Sequence, residues 1–153
     1  MPPPEKRHGT LPPMRIALGT DEVNPTTESL VAWLEERGHR VVEVARGEDW
    51  PVVGRRVAEA VVSGGCDRGV ACCTTGTGVS IAANKVPGAR AALCVDAATA
   101  AGARRWNDAN IVALGLRLTT PALAAEILDA FLTTELDASE SALVDQVEGD
   151  PGR

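Results

Sequence analysis

Two adjacent cysteines, Cys72 and Cys73, end an apolar run that starts at Arg68, and the chain then enters the turn-rich segment Thr74-Thr75-Gly76-Thr77-Gly78. A thiol at the carboxyl end of a strand, beside the amino end of a helix, sits where α/β folds place their chemistry. The helix dipole and the free backbone N–H groups there favour a thiolate and any developing oxyanion. Successive strand residues point to opposite faces, so Cys72 and Cys73 part company, and Cys73, which abuts the loop, is the candidate reactive thiol. A free cysteine read alone is a small buried hydrophobe, the reading that also fits Cys66 and Cys94. The amides of Thr74–Gly78 can cradle an anion. As a nucleotide site the loop fails: a third glycine is missing, and no lysine followed by serine or threonine completes a P-loop. Enediolate oxygens, formed by proton abstraction next to a carbonyl, are natural guests for such amides. Asp21 ends the first apolar run, where a carboxylate is either a solvated turn residue or a substrate contact.

These residues must be positioned by an alternating βα pattern that repeats along the chain. Met14 to Gly19 reads as a first strand. Asn24 caps a helix with Pro25 at its first position, burying Leu30, Trp33 and Leu34 and stopping at Gly38. Val41 to Ala45 is a short second strand. A second helix follows Pro51, carries Val53, Val57 and Val61 on one face, and ends at Gly64-Gly65. Strands over Arg68–Cys73 and Ala89–Val95 flank the loop, with a helix opening over Val79–Asn84. Ala97 to Trp106 is a small-residue helix, Asn110 to Leu114 a fifth strand, and Pro121 to Leu132 a last helix burying Leu123, Ile127 and Phe131. Such alternation predicts a parallel sheet covered on both faces.

The 153 residues amount to one domain. Residues 1–13, proline-rich and polar, read as a disordered extension, residues 14–136 as the α/β domain, and residues 137–153 as an acidic tail whose final ten residues are expected to be mobile. The N-terminal stretch has no apolar segment of the secretory kind, and no run is long enough to span a membrane. With a net charge of −6, three Trp, one Phe, no Tyr and no basic stripe, nucleic acid is not an expected partner. Four cysteines without a C-x-x-C pair read as free thiols in a reducing cytoplasm.

Residues 73–94, CTTGTGVSIAANKVPGARAALC, resemble the signature of the ribose-5-phosphate isomerase B and galactose-6-phosphate isomerase family, which reads cysteine-glycine-threonine-glycine-x-glycine followed by a serine and an AANK run. GTD at residues 19–21, the Pro51 segment and NDANIVALGLR at residues 107–117 stand in matching order, so the resemblance covers residues 14–136. It implies a three-layer α/β/α sandwich around a five-stranded parallel Rossmann-like sheet, strand order 2-1-3-5-4. It further implies a homodimer with active sites at the subunit interface and an aldose–ketose isomerase needing neither cofactor nor metal. Cys73 then takes the proton α to the sugar carbonyl and returns it to the neighbouring carbon. Thr75 and Asp21 match sugar contacts, Asn107 matches an asparagine at the end of the fourth helix, and Arg117 matches a phosphate-contacting arginine. Thr74, Gly76, Thr77 and Gly78 complete the substrate loop.

The chain departs from that family in four places. Thr74 replaces a glycine, and Glu22 replaces the histidine after Asp21, as in one galactose-6-phosphate isomerase subunit. Trp106 replaces the histidine that assists ring opening; it is either packing or a platform for a sugar face. The C-terminal arginine-histidine-x-x-arginine cluster is absent, with Glu140, Ser141 and Val144 in its place. Weakened phosphate recognition and a non-standard, open-chain sugar substrate are therefore expected, with Arg104 and Arg105 the nearest spare cations. Two other readings stay open: a non-catalytic or partnered subunit of a hetero-oligomer, and a small-molecule binding module.

Overall fold

The structure is a computed structural model that describes residues 11–149; most of the N-terminal extension and the last four residues of the tail lie outside it. The alternation is realised as β1 (Arg15–Thr20), α1 (Pro25–Glu36), β2 (Arg40–Arg46), α2 (Trp50–Val62), β3 (Arg68–Cys73), α3 (Thr77–Asn84), β4 (Ala91–Leu93), α4 (Ala97–Asn107), β5 (Ile111–Gly115) and α5 (Pro121–Thr133). A 3₁₀ turn over Ala138–Glu140 and the short α6 (Ser141–Asp145) follow. All strand pairs are parallel, in the order β2-β1-β3-β5-β4. Three prolines open α1, α2 and α5, where a missing N–H costs nothing. Asn24 forms a capping box with Thr27, its Oδ1 accepting from Thr27 N–H at 3.0 Å.

Alternation along the strands divides the interior into two clusters. Ile16, Leu18, Val70, Cys72, Val112 and Leu114 face α1, α4 and α5, meeting Leu30, Leu34, Ile127, Leu128 and Phe131. Ala17, Ala71, Cys73, Ile111 and Ala113 face α2 and α3, meeting Val53, Val57, Val61 and Val79. Cys72 and Cys73 thus do lie on opposite faces, in separate cores.

Four details differ from the sequence reading. The helix after the loop starts at Thr77 instead of Val79, because Gly76 at φ +77° reverses the chain one residue earlier. The strand expected over Ala89–Val95 shrinks to Ala91–Leu93: Ala89 N–H is drawn into a turn with Val86, and Val95 is exposed. Trp33 is only half-buried, its ring covered by Arg37 at 3.6 Å. The tail is tied down over its described part. Val144 is buried, Glu148 Oε2 accepts from Gly88 N–H at 3.0 Å, and its Oε1 pairs with Arg90 at 3.1 Å. No described helix is long and apolar enough to cross a membrane.

Candidate functional site

Parallel pairing brings the carboxyl ends of the central strands together. Thr20 stands opposite Cys72 and Cys73 opposite Gly115, so Asp21, the Thr74–Gly78 loop and the turn after β5 share one rim of the sheet. Cys73 is 4 % exposed, and its Sγ accepts the Gly76 N–H at 3.2 Å. The loop is clamped from the β5 side. Leu116 N–H donates to Cys73 O and Arg117 N–H to Thr74 O, both at 2.9 Å. Gly115 is the contact point: a Cβ there would lie 2.6 Å from the Thr75 carbonyl oxygen. These hydrogen bonds tie the first carbonyls of the loop to the end of β5.

Gly76 caps α3 in the left-handed conformation without a side-chain bond. The amides of Thr77, Gly78 and Val79 consequently have no acceptor among the described residues. They form a donor group at the positive end of the helix dipole, suited to an enediolate or a phosphate oxygen. Thr74, Thr75 and Thr77 are exposed beside them, with Thr75 Oγ1 and Thr77 Oγ1 bonded at 2.8 Å.

Asp21 is the second notable group. Its N–H donates to Cys72 O at 3.2 Å, which draws it against the end of β3. Its Oδ1 is buried and has no hydrogen-bond partner among the described residues. Burial, and then the charge of Glu22, push its carboxyl above the usual range. Glu22 itself is exposed, its N–H donating to Thr20 Oγ1 at 3.3 Å. The other three thiols are pushed away from ionisation chiefly by burial: Cys72 to about 12, Cys94 to about 11, and Cys66 upward.

Trp50 belongs to the rim as well, although residue types alone did not single it out. It opens α2, is 46 % exposed, and its ring packs on Gly78, where a Cβ would lie 2.9 Å from ring carbons. The available signal was a lone aromatic before a helix-opening proline in a chain poor in aromatics. Gly115 had no comparable signal, because its contact with Thr75 is tertiary.

Asn107, in contrast, does not join this group. It ends α4, before β5 begins, whereas Cys73 pairs with Gly115 at the end of β5. The length of β5, about 13 Å, separates the two levels. Asn107 instead lines a cavity of about 620 Å³ at the opposite pole, with Lys85, Arg90 and Glu148. Trp106 rests one edge on Gly102 and is 55 % exposed at that same pole. His39 is buried before β2, also away from Cys73. Arg104 is no spare cation: it is 4 % exposed, pairs with Asp108 at 2.8 Å and donates to Ala109 O at 2.6 Å and Thr134 O at 3.3 Å. Glu140 follows α5, and so sits at the far pole as well. Arg117 is exposed on the rim.

A family profile for Ribose/Galactose Isomerase matches residues 16–147. The chain is similar to galactose-6-phosphate isomerase subunit LacB of Clostridium acetobutylicum, 39% identical over 124 residues covering 78% of this chain and 72% of that one. It is similar to D-erythrulose-4-phosphate isomerase of Pectobacterium atrosepticum, 37% identical over 135 residues covering 84% and 89%. Among solved structures, ribose-5-phosphate isomerase B of Clostridium thermocellum superposes with a TM-score of 0.84 at 40% identity, covering 88% of this chain and 95% of that one. With a matching sheet and a profile match over most of its length, the chain belongs to the ribose/galactose isomerase family, whose chemistry is aldose–ketose isomerisation.

Proposed function

We propose that Cys73 is the base of an isomerase that shifts a carbonyl between adjacent carbons of a short, open-chain sugar phosphate. The observation that carries this reading is the Cys73 sulfur, held by the Gly76 N–H below the unpartnered amides of α3, with the orphaned Asp21 oxygen on the same rim. In the forward direction the thiolate removes the proton α to the carbonyl, and Asp21 or Thr75 delivers a proton to the carbonyl oxygen. The enediol forms against the amides of Thr77, Gly78 and Val79. In the second half the thiol returns its proton to the neighbouring carbon, and the oxygen-side group recovers one from the adjacent hydroxyl. Atoms and charge balance without any redox partner, so the reaction draws on no cofactor.

The chain length of the substrate follows from proton-transfer groups. Trp106 stands where relatives carry the ring-opening histidine, and His39 is buried at the far pole. A ketose too short to close a stable ring needs no such group, and the likeness to a D-erythrulose-4-phosphate isomerase supports the same class. Arg117 and the α3 amides are the rim's phosphate donors; Glu22 opposes them. Cys73, retained with its donor intact, argues against a non-catalytic subunit. A second copy is part of the proposal, because Asn107 can touch substrate at Cys73 only from a partner subunit.

The test is solvent deuterium incorporation into a four-carbon ketose phosphate and into ribose 5-phosphate. The expected result is exchange with the tetrulose at an ordinary enzymatic kcat/KM, above about 10⁴ M⁻¹s⁻¹. Ribose 5-phosphate should be slower by roughly two to four decades, the cost of two lost charge-assisted hydrogen bonds. Equal turnover of the pentose would show that another residue opens the ring and that the phosphate site is rebuilt.

A further inference from the structure

At the pole opposite Cys73, α1 and α5 leave between them a cavity of about 730 Å³, a size usual for small-molecule sites. Leu11, Trp33 and Leu132 supply apolar wall. Its polar lining is of two kinds, on two sides. On the α1–β2 side lies His39, 5 % exposed, whose Nδ1 accepts the Met14 N–H at 3.1 Å. An imidazole that accepts at Nδ1 while neutral carries its hydrogen on Nε2. Burial and the nearby Arg37 charge hold the ring neutral by lowering its pKa. That Nε2–H has no acceptor among the described residues and is not sealed in the interior, so it is free to meet a ligand in the cavity that His39 lines. Arg37 is placed beside it, its guanidinium 3.6 Å above the Trp33 ring and its Nη1 donating to Trp33 O at 3.3 Å.

The α5 side carries the opposite sign. Glu126 and Asp129 line the cavity there, with Glu36 at the end of α1, and none of the three is in an ion pair among the described residues. A simple anion would meet three carboxylates. A simple amine would leave the His39 N–H and the Arg37 fork unmatched. A ligand with both charges on one end and an apolar body matches the whole lining.

We propose that this groove binds an apolar α-amino acid, its carboxylate on His39 Nε2–H and Arg37, its ammonium on Glu126 and Asp129, and its side chain against Leu11 and Leu132. The site is separate from the isomerase rim and does not depend on that reading.

The experiment is calorimetric titration of the full chain with L-leucine, L-methionine and L-phenylalanine, alongside imidazole ¹⁵N spectra. His8 and His39 are the only two histidines, so the signals are assignable with a His8→Gln variant. Leucine should shift the His39 Nε2 signal and leave His8 unmoved. Isoamylamine and 4-methylpentanoate, each lacking one of leucine's charges, should bind roughly tenfold or more weakly. Arg37→Met and Glu126→Gln alter exposed side chains, and each should weaken leucine by a similar factor. No response to any of the three amino acids, as when residues 1–10 or another copy fills the groove, overturns the proposal. So does isoamylamine binding as tightly as leucine, which would mark a simple cation site.

Discussion

Cys73 differs from the other three cysteines in what surrounds its sulfur. It has a backbone donor at 3.2 Å and the amino end of α3 beside it, whereas burial, the largest cause in each case, pushes Cys66, Cys72 and Cys94 away from the thiolate. Iodoacetamide at pH 7 should therefore label Cys73 ahead of the rest, read by peptide mass. Cys73→Ala should abolish solvent exchange into substrate with the fold intact. Cys72→Ala should keep turnover and cost about 1 kcal/mol of stability, the price of a methyl-sized void. Asp21 makes a different prediction. Its carboxyl is raised in the folded state, so between pH 3.8 and that raised value the native chain holds more protons than the unfolded one. The resulting stability is full below pH 3.8 and is lost as pH climbs through the folded value. At neutral pH the charged, half-orphaned carboxylate is a liability, and Asp21→Asn should be as stable as the parent or up to about 1 kcal/mol more so. Urea midpoints across pH 4 to 8 should fall for the parent and stay flatter for the variant, while the variant loses activity. The thiol and its loop were legible in residue order alone. The orphaned oxygen of Asp21 and the ring of Trp50 on Gly78 were not, since each arises from contacts between elements distant in sequence.

Elements inherit their placement from a few positional residues. Three prolines at helix starts and the valines of α2 were enough to locate the scaffold, because each acts through its own backbone or face. The short edge strand β4 was overcalled, because its pairing is supplied by side chains. Asn84 Oδ1 accepts the Ala91 N–H at 2.8 Å and its Nδ2 donates to Ala91 O at 2.9 Å, taking the place of a neighbouring strand. Asn84 thereby closes an edge that would otherwise invite pairing. Asn110 works from the β5 side, its Oδ1 accepting the Arg90 N–H at 2.8 Å and its Nδ2 donating to Gly88 O at 2.9 Å. The junction of β5 and the Thr74–Gly78 loop is less tolerant. A methyl on Gly115 would meet Thr75 backbone, which cannot move without shifting the donors of α3. Gly115→Ala should cost about 1–3 kcal/mol by overpacking. Its kcat/KM should fall by roughly 10²-fold if the loop yields by an ångström, with KM changing less than kcat. A fully active Gly115→Ala enzyme would mean that the loop is not held in a working position by β5.

At the scale of the whole molecule, the strand order implied by resemblance is the one observed, and it decides what one chain can do alone. Helices return antiparallel to the strands, so a residue that ends a strand and a residue that ends a helix lie at opposite poles. Cys73, Asp21 and Arg117 are of the first kind and Asn107 is of the second. Sequence order conceals this, since Asn107 and Arg117 are near neighbours in the chain yet stand at the two ends of β5. An Asn107 that contacts substrate must therefore reach the Cys73 of another copy, and a two-fold dimer supplies two such composite sites. The consequence can be read by mixing two defective chains. Cys73→Ala homodimers should be inactive, and Asn107→Ala homodimers should keep about 1–10% of activity after losing one substrate hydrogen bond. Unfolding and refolding an equal mixture should give mixed dimers in half of the population. In each of these, one site combines the intact Cys73 of one subunit with the intact Asn107 of the other, while the second site carries both lesions. Activity should then rise to about a quarter of the parent's, well above the mean of the two homodimers. Recovery that stays at that mean would place Asn107 outside the site and leave the rim of a single chain to act alone.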